Sequence, residues 1–203
     1  MPCVDLPNVR TSLDIRLRAS ASFTMLANGS RVAETAHDDG TKTVHWRLEQ
    51  RCPSYLICFA VGEFVQADDG VFDAGEKQLP VAYSCSPQHT PDDLMRSFGR
   101  TKPMLAWMTQ KFGRPFPFPK YYQWMAPGVS GAMENISLVS WGEYFALDAA
   151  LAAEWTYTLD AVNVHEMAHS YFGDAVVCRD FAHAWLKESW ATYIEQVWRE
   201  DAF

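Results

Sequence analysis

Between residues 13 and 18, apolar Leu13, Ile15 and Leu17 alternate with Asp14, Arg16 and Arg18. A period of two places the two sets on opposite faces of a half-buried β-strand. Asn28-Gly29 and Asp38-Asp39-Gly40 are turn chemistry between short β-prone runs, so the pattern predicts a meander through about residue 49. Residues 55–64 are more continuously apolar and predict a strand buried on both faces or central in its sheet. Residues 80–84 predict one further strand.

The pattern changes at Ser86-Pro87. Pro91 opens a helical stretch, and Asp92 and Asp93 suit the positive end of its dipole. Leu94, Phe98, Leu105, Met108 and Phe112 recur at helical spacing, with Pro103 expected to kink or split the helix. Residues 113–119 form a Pro/Gly-rich loop. Strands are predicted at 121–125 and 136–141, with a turn at Pro127-Gly128, and helices at about 158–172 and 183–200. The result is an α+β chain with an antiparallel β part over 1–86 and a mixed part over 87–203.

Composition removes several classes of function. The chain has 203 residues, of which 48% are hydrophobic and 21% charged, an ordinary globular balance. Acidic residues outnumber basic ones by 25 to 17, and no Lys/Arg run is present, so nucleic acid is not an expected partner. The five cysteines, Cys3, Cys52, Cys58, Cys85 and Cys178, are odd in number and contain no CxxC pair. They are expected to be reduced thiols in a cytoplasmic protein. Neither a signal peptide nor a membrane-spanning segment is expected, since the longest apolar run, residues 55–62, is far too short.

The chemistry lies in the last fifth of the chain. His165-Glu166-Met167-Ala168-His169 is an HExxH motif in a helical pattern. Residues four apart share a helix face, so His165 and His169 can aim their imidazoles at one point, with Glu166 beside them as a base. Eighteen residues separate His169 from Glu188, which can complete a His₂Glu set for one zinc ion with an open fourth position. Glu195, seven residues after Glu188, falls on the same helix face and can accept a hydrogen bond from a ligand imidazole; a solvated carboxylate is an equal alternative there. HExxH arises by chance in roughly one of a few hundred chains of this length, and the fixed third Glu lowers that by roughly ten- to twentyfold. Two surface histidines are therefore a poor explanation.

Gly131-Ala132-Met133-Glu134-Asn135 matches the GAMEN signature, and with HExxH and Glu188 in order it resembles the aminopeptidase N-like family of gluzincin metallopeptidases. Pro2-Cys3-Val4-Asp5-Leu6-Pro7 and Phe112-Gly113-Arg114-Pro115-Phe116-Pro117 resemble further family segments. The resemblance implies a saddle-like antiparallel β domain followed by the N-terminal portion of a thermolysin-like catalytic domain. It implies that GAMEN lies on an edge strand, where main-chain groups near Gly131 and Ala132 bind a peptide by strand addition. It also implies that Glu134 holds the free α-amine of the substrate.

Where the family commonly has WLNEGFA, this chain has Trp185-Leu186-Lys187-Glu188-Ser189-Trp190-Ala191, and Ser170-Tyr171 replaces the usual Gln-Trp. The expected function is zinc-dependent removal of N-terminal residues from peptides, with one zinc per chain. The alternatives are a catalytically incomplete zinc-binding piece of such an enzyme and, less favoured, a thermolysin-like endopeptidase. The family's second acid for the amine and its oxyanion-stabilising Tyr have no counterpart at matching positions, so the chain is expected to be a partial member. Several of the many apolar residues of the last helix are accordingly expected to be exposed on one side.

Overall fold

The computed structural model describes residues 3–75 and 77–203; Pro2, which opens the PCxDxP-like segment, lies outside the described residues. The first five strands are β1 (Arg10–Ser20), β2 (Thr24–Ala27), β3 (Ser30–Ala36), β4 (Thr41–Pro53) and β5 (Phe59–Gly62). On β1 the alternation holds, with Leu13 buried, Ile15 and Leu17 half-buried, and the intervening charges exposed. The strand order departs from a meander. β1 pairs antiparallel with β4, which pairs with β3, while β2 leaves the run to pair with β5.

The cause is the Asn28-Gly29 turn, which is buried instead of solvated. Asn28 Nδ2 donates to the Leu56 carbonyl at 3.1 Å, and its Oδ1 accepts from Cys58 N–H at 2.6 Å. These bonds hold the end of β2 against residues 56–58. Residues 55–64 are consequently no single buried strand. Ser54–Leu56 is a 3₁₀ turn, and on β5 Ala60 is buried while Phe59 and Val61 are exposed.

A second sheet contains β6 (Val65–Asp73), β7 (Gln78–Cys85), β8 (Tyr121–Ala126), β9 (Ala132–Met133) and β10 (Leu138–Gly142), in the order β6-β7-β8-β10-β9. β8 runs parallel to both neighbours, and the edge strand β9 is antiparallel to β10. The change of pattern at residue 86 falls just after β7, and the sheet draws strands from both sides of it. β6 is hidden in the sequence by Asp68-Asp69-Gly70. Gly70 has φ +76, its N–H donates to Asp68 Oδ1 at 2.8 Å, and the β6–β7 register shifts there. Turn chemistry here makes a bulge within a strand.

The helices are α1 (Pro91–Phe98), α2 (Thr101–Phe112), α3 (Ala149–His169) and α4 (Trp185–Ala202). Thr90 and Asp93 cap α1 reciprocally, with Pro91 at its first position. The split between α1 and α2 falls at Gly99-Arg100, before Pro103. Pro103 sits in the first turn of α2, where its missing N–H would have had no intrahelical partner. α3 begins nine residues ahead of the predicted 158, because Asp148 Oδ1 accepts from Ala150 and Leu151 N–H and an alanine-rich run follows. The main core lies between the second sheet and these helices; Phe98 of α1 packs between Tyr83 and Trp141, at ring-centroid distances of 5.4 and 5.1 Å.

α4 buries Ala191 and Ile194 against this core. Its other face is open: Trp185, Leu186, Trp190 and Tyr193 are 60%, 41%, 47% and 59% exposed, as expected from the sequence. No helix among the described residues is long and apolar enough to cross a membrane.

Candidate metal centre and substrate cleft

α3 is fixed by polar side chains one turn ahead of its histidines. Buried Asp160 accepts from Arg100 Nε at 2.8 and 2.7 Å, and buried Asn163 donates to Thr101 Oγ1 at 3.1 Å. With that face locked to α2, His165 and His169 turn towards α4. Their Nε2 atoms are 3.2 Å apart, and each lies 3.3 Å from Glu188 Oε2. Donors on a tetrahedron with bonds of about 2.0–2.1 Å are separated by about 3.3 Å. The two imidazoles and the carboxylate thus have both the chemistry and the mutual spacing of a zinc ligand set.

Both rings have their remaining nitrogens occupied. His169 Nδ1–H donates to the Phe172 carbonyl at 3.1 Å, leaving Nε2 with its lone pair free. His165 Nδ1 lies 3.4 Å from Glu195 Oε2, and Arg199 holds the other oxygen of Glu195 at 2.8 Å. With both imidazoles and the Lys187 ammonium beside it, the Glu188 carboxyl is held well below the usual carboxylate range. An open hollow of about 600 Å³, lined in part by Trp185, Glu188 and Tyr193, borders the cluster on the α4 side.

Glu166 is buried beside these donors, and its Oε2 has no hydrogen-bond partner among the described residues. Burial pushes its pKa up to about 7; His169 and His165 pull it down, and Glu134 and Glu188 push it further up. A buried carboxylate with a free oxygen beside a metal ligand set is placed to accept a proton.

The GAMEN segment borders the cluster at the sheet edge. Ala132 and Met133 pair with Trp141 and Ser140, and the outer edge of β9 has no strand partner among the described residues. Gly131 is engaged at both main-chain groups: its N–H donates to Tyr144 Oη and its carbonyl accepts from Gly142 N–H, both at 2.8 Å. Asn135 Oδ1 accepts from Ser140 Oγ at 2.7 Å, which pins the segment to β10. Glu134 is buried, and Lys187 Nζ lies 2.6 Å from its Oε1 and 2.5 Å from Glu188 Oε1.

Sequence reasoning did not foresee this bridge; its one signal was Lys187 itself, standing where the family commonly has Asn. It also missed Tyr144 as a partner of Gly131, and Asp174, which is fully buried with an unpartnered Oδ1 among the described residues and a pKa raised by burial. Tyr171 is directed elsewhere, its hydroxyl donating to the Arg114 carbonyl at 3.3 Å.

The peptidase family M1 domain matches residues 96–203, and the peptidase M1 N-terminal domain matches residues 1–56. Aminopeptidase N of Streptomyces lividans is 30% identical over 88% of this chain and 21% of its own length. Aminopeptidase N of Lactobacillus delbrueckii subsp. lactis is 32% identical over 96% of this chain and 22% of its own length. The chain thus spans about a fifth of the length of these relatives. An M1 zinc metallopeptidase crystal structure from Deinococcus radiodurans superposes with a TM-score of 0.83 at 26% identity, covering 100% of this chain and 43% of the other. The M1 domain match alone takes in more than half of the sequence, and with it the chain belongs to peptidase family M1.

Proposed function

We propose that this chain carries the zinc centre of an aminopeptidase that removes N-terminal residues from peptides with a free α-amine, with one zinc per chain held by His165, His169 and Glu188. The observation that carries the reading is the triangle of donors at 3.2–3.3 Å with Glu166 buried beside it. The names of the relatives support the exopeptidase assignment. Zinc in that triangle supplies Lewis-acid activation of water and of the scissile carbonyl. Glu166 takes the proton of the attacking water at its free oxygen and returns it to the leaving amine. Glu195 and the Phe172 carbonyl fix the two imidazoles, and the unpartnered edge of β9 lies where an extended peptide can add as a strand. Glu134 holds the α-amine.

A second reading, a zinc-binding chain without turnover of its own, is favoured by Tyr55 and Tyr171. The hydroxyls of Tyr55 and Tyr171 donate to the main-chain carbonyls of Gly173 and Arg114, so neither is turned towards a reacting carbonyl. Metal analysis and turnover of an aminoacyl-4-nitroanilide separate the two. The chain retains about one zinc after dialysis, and His165→Ala loses it. Glu166→Gln keeps zinc and lowers turnover by about 10²–10⁴-fold. Zinc without turnover selects the second reading. A chain that never holds zinc stoichiometrically overturns both.

A further inference from the structure

Lys187 enters the cleft from the first turn of α4, immediately before Glu188. Only 12% of its side chain and 5% of that of Glu134 are exposed, so their ion pair is largely withdrawn from solvent. The stem runs past Gly173, where an added Cβ would stand 3.2 Å from Lys187 Cδ and 3.3 Å from His169 Nδ1. The ring of Tyr55 lies 6.0 Å from the ammonium on another side. Lys187 is thus a seated side chain whose head group bridges Glu134 and the free oxygen of Glu188. That head is a primary ammonium, the same chemical group as the N-terminus of a peptide. Two ammonium groups at one buried carboxylate would repel each other with little screening, so an incoming amine competes with the one already there.

We propose that Lys187 is an internal competitor for the amine-holding carboxylate: a peptide α-ammonium reaches Glu134 by displacing Lys187, which remains on Glu188 Oε1. The inference rests on the proposed reading of Glu134 as the amine anchor. Binding then exchanges one ion pair for another, and the preference for free over blocked N-termini is compressed. Lys187 is a specificity-determining residue, and a neutral side chain at this position widens the preference.

The test is calorimetric binding of L-leucinamide and N-acetyl-L-leucinamide to the full zinc-loaded chain, with zinc content and melting temperature measured for every variant. Lys187→Gln should tighten leucinamide about tenfold, the worth of one charge-assisted contact, and leave the acetylated ligand within about twofold. Lys187→Met keeps the stem without the charge and should behave alike, so poor folding of one variant does not decide the result. A purely structural role for Lys187 would move both ligands together. Leucinamide binding that is unchanged, weaker or undetectable in both Lys187 variants, while Glu134→Gln removes the free-amine preference, overturns the competition and leaves Glu134 as the anchor. A preference that survives Glu134→Gln overturns the anchor reading and this inference with it.

Discussion

Glu195 Oε2 stands 3.4 Å behind Nδ1 of His165, on the side of the ring away from Glu188. A carboxylate there favours the proton on Nδ1 and so makes Nε2 a better donor to a metal. Arg199 holds Glu195 in place at 2.8 Å, one turn further along α4. Replacing such a partner usually weakens metal affinity by about 10–100-fold without removing a ligand. Glu195→Gln is therefore expected to raise the zinc dissociation constant by about tenfold in a chelator competition, with helix content unchanged. An affinity equal to the parent chain's would return Glu195 to the role of a solvated helix carboxylate.

Asp160 is a second support, acting on the helix instead of the metal. It is 2% exposed and takes both of its contacts from Arg100 Nε. Arg100 is already a third exposed, so in Asp160→Ala part of its charge can be rehydrated, and the expected cost is about 2–3 kcal/mol, below that of a fully buried pair. Because the pair sits one turn from His165, zinc affinity should fall along with the urea midpoint. A variant with an unchanged midpoint would mean that Asn163 and Thr101 alone hold α3 against α2.

The outer face of α4 leads to a solution property. Trp185, Leu186 and Tyr193 are exposed on it; Trp190, though 47% exposed, stacks on Phe172 at 5.1 Å and is part of the local packing. Contiguous apolar surface of this kind binds apolar dyes or promotes association. The chain is expected to enhance ANS fluorescence, and combined Trp185→Ser, Leu186→Ser and Tyr193→Ser changes should remove most of the enhancement. A monodisperse monomer that melts cooperatively and ignores the dye would show that this surface is too broken to act as a patch.

Much of the site was legible in the sequence, because its geometry is local. His165, Glu166 and His169 lie on one helix, and a helix with 3.6 residues per turn permits one outcome for that spacing. The alternation of Leu13, Ile15 and Leu17 was legible for the same reason. What escaped depends on contacts distant in sequence. β1 pairs with β4 because a buried Asn28 holds β2 elsewhere, and no local pattern reports the burial of a turn. Asp68-Asp69-Gly70 reads as a turn whether it ends a strand or bulges one. Lys187 was visible as a departure, but its meeting with Glu134, 53 positions earlier, is a tertiary fact.

Gly29 joins the first sheet to the chain that follows Glu134. Its φ is +83, a region that side chains with a Cβ enter at a cost, and a Cβ built there would overlap the Arg47 carbonyl of β4. Around it, Gly29 N–H donates to Ser137 Oγ at 2.7 Å, and the Gly29 carbonyl accepts from buried Lys120 Nζ. Asn28 Nδ2 donates to the Ile136 carbonyl at 2.7 Å. Moving the turn away from β4 would therefore strain the segment leading from Asn135 into β10. Gly40 provides the control, since its φ is +76 yet a Cβ there meets nothing within 4 Å. Gly40→Ala should cost about 1 kcal/mol, the conformational part alone. Gly29→Ala adds overpacking against rigid backbone, for a total of about 3 kcal/mol, or a fall in Tm of about 6–12 °C in a chain of this size. Thermal unfolding of the two variants side by side isolates the steric part. Equal shifts would mean that β4 yields to the new methyl group and that the joint is softer than its hydrogen bonds imply.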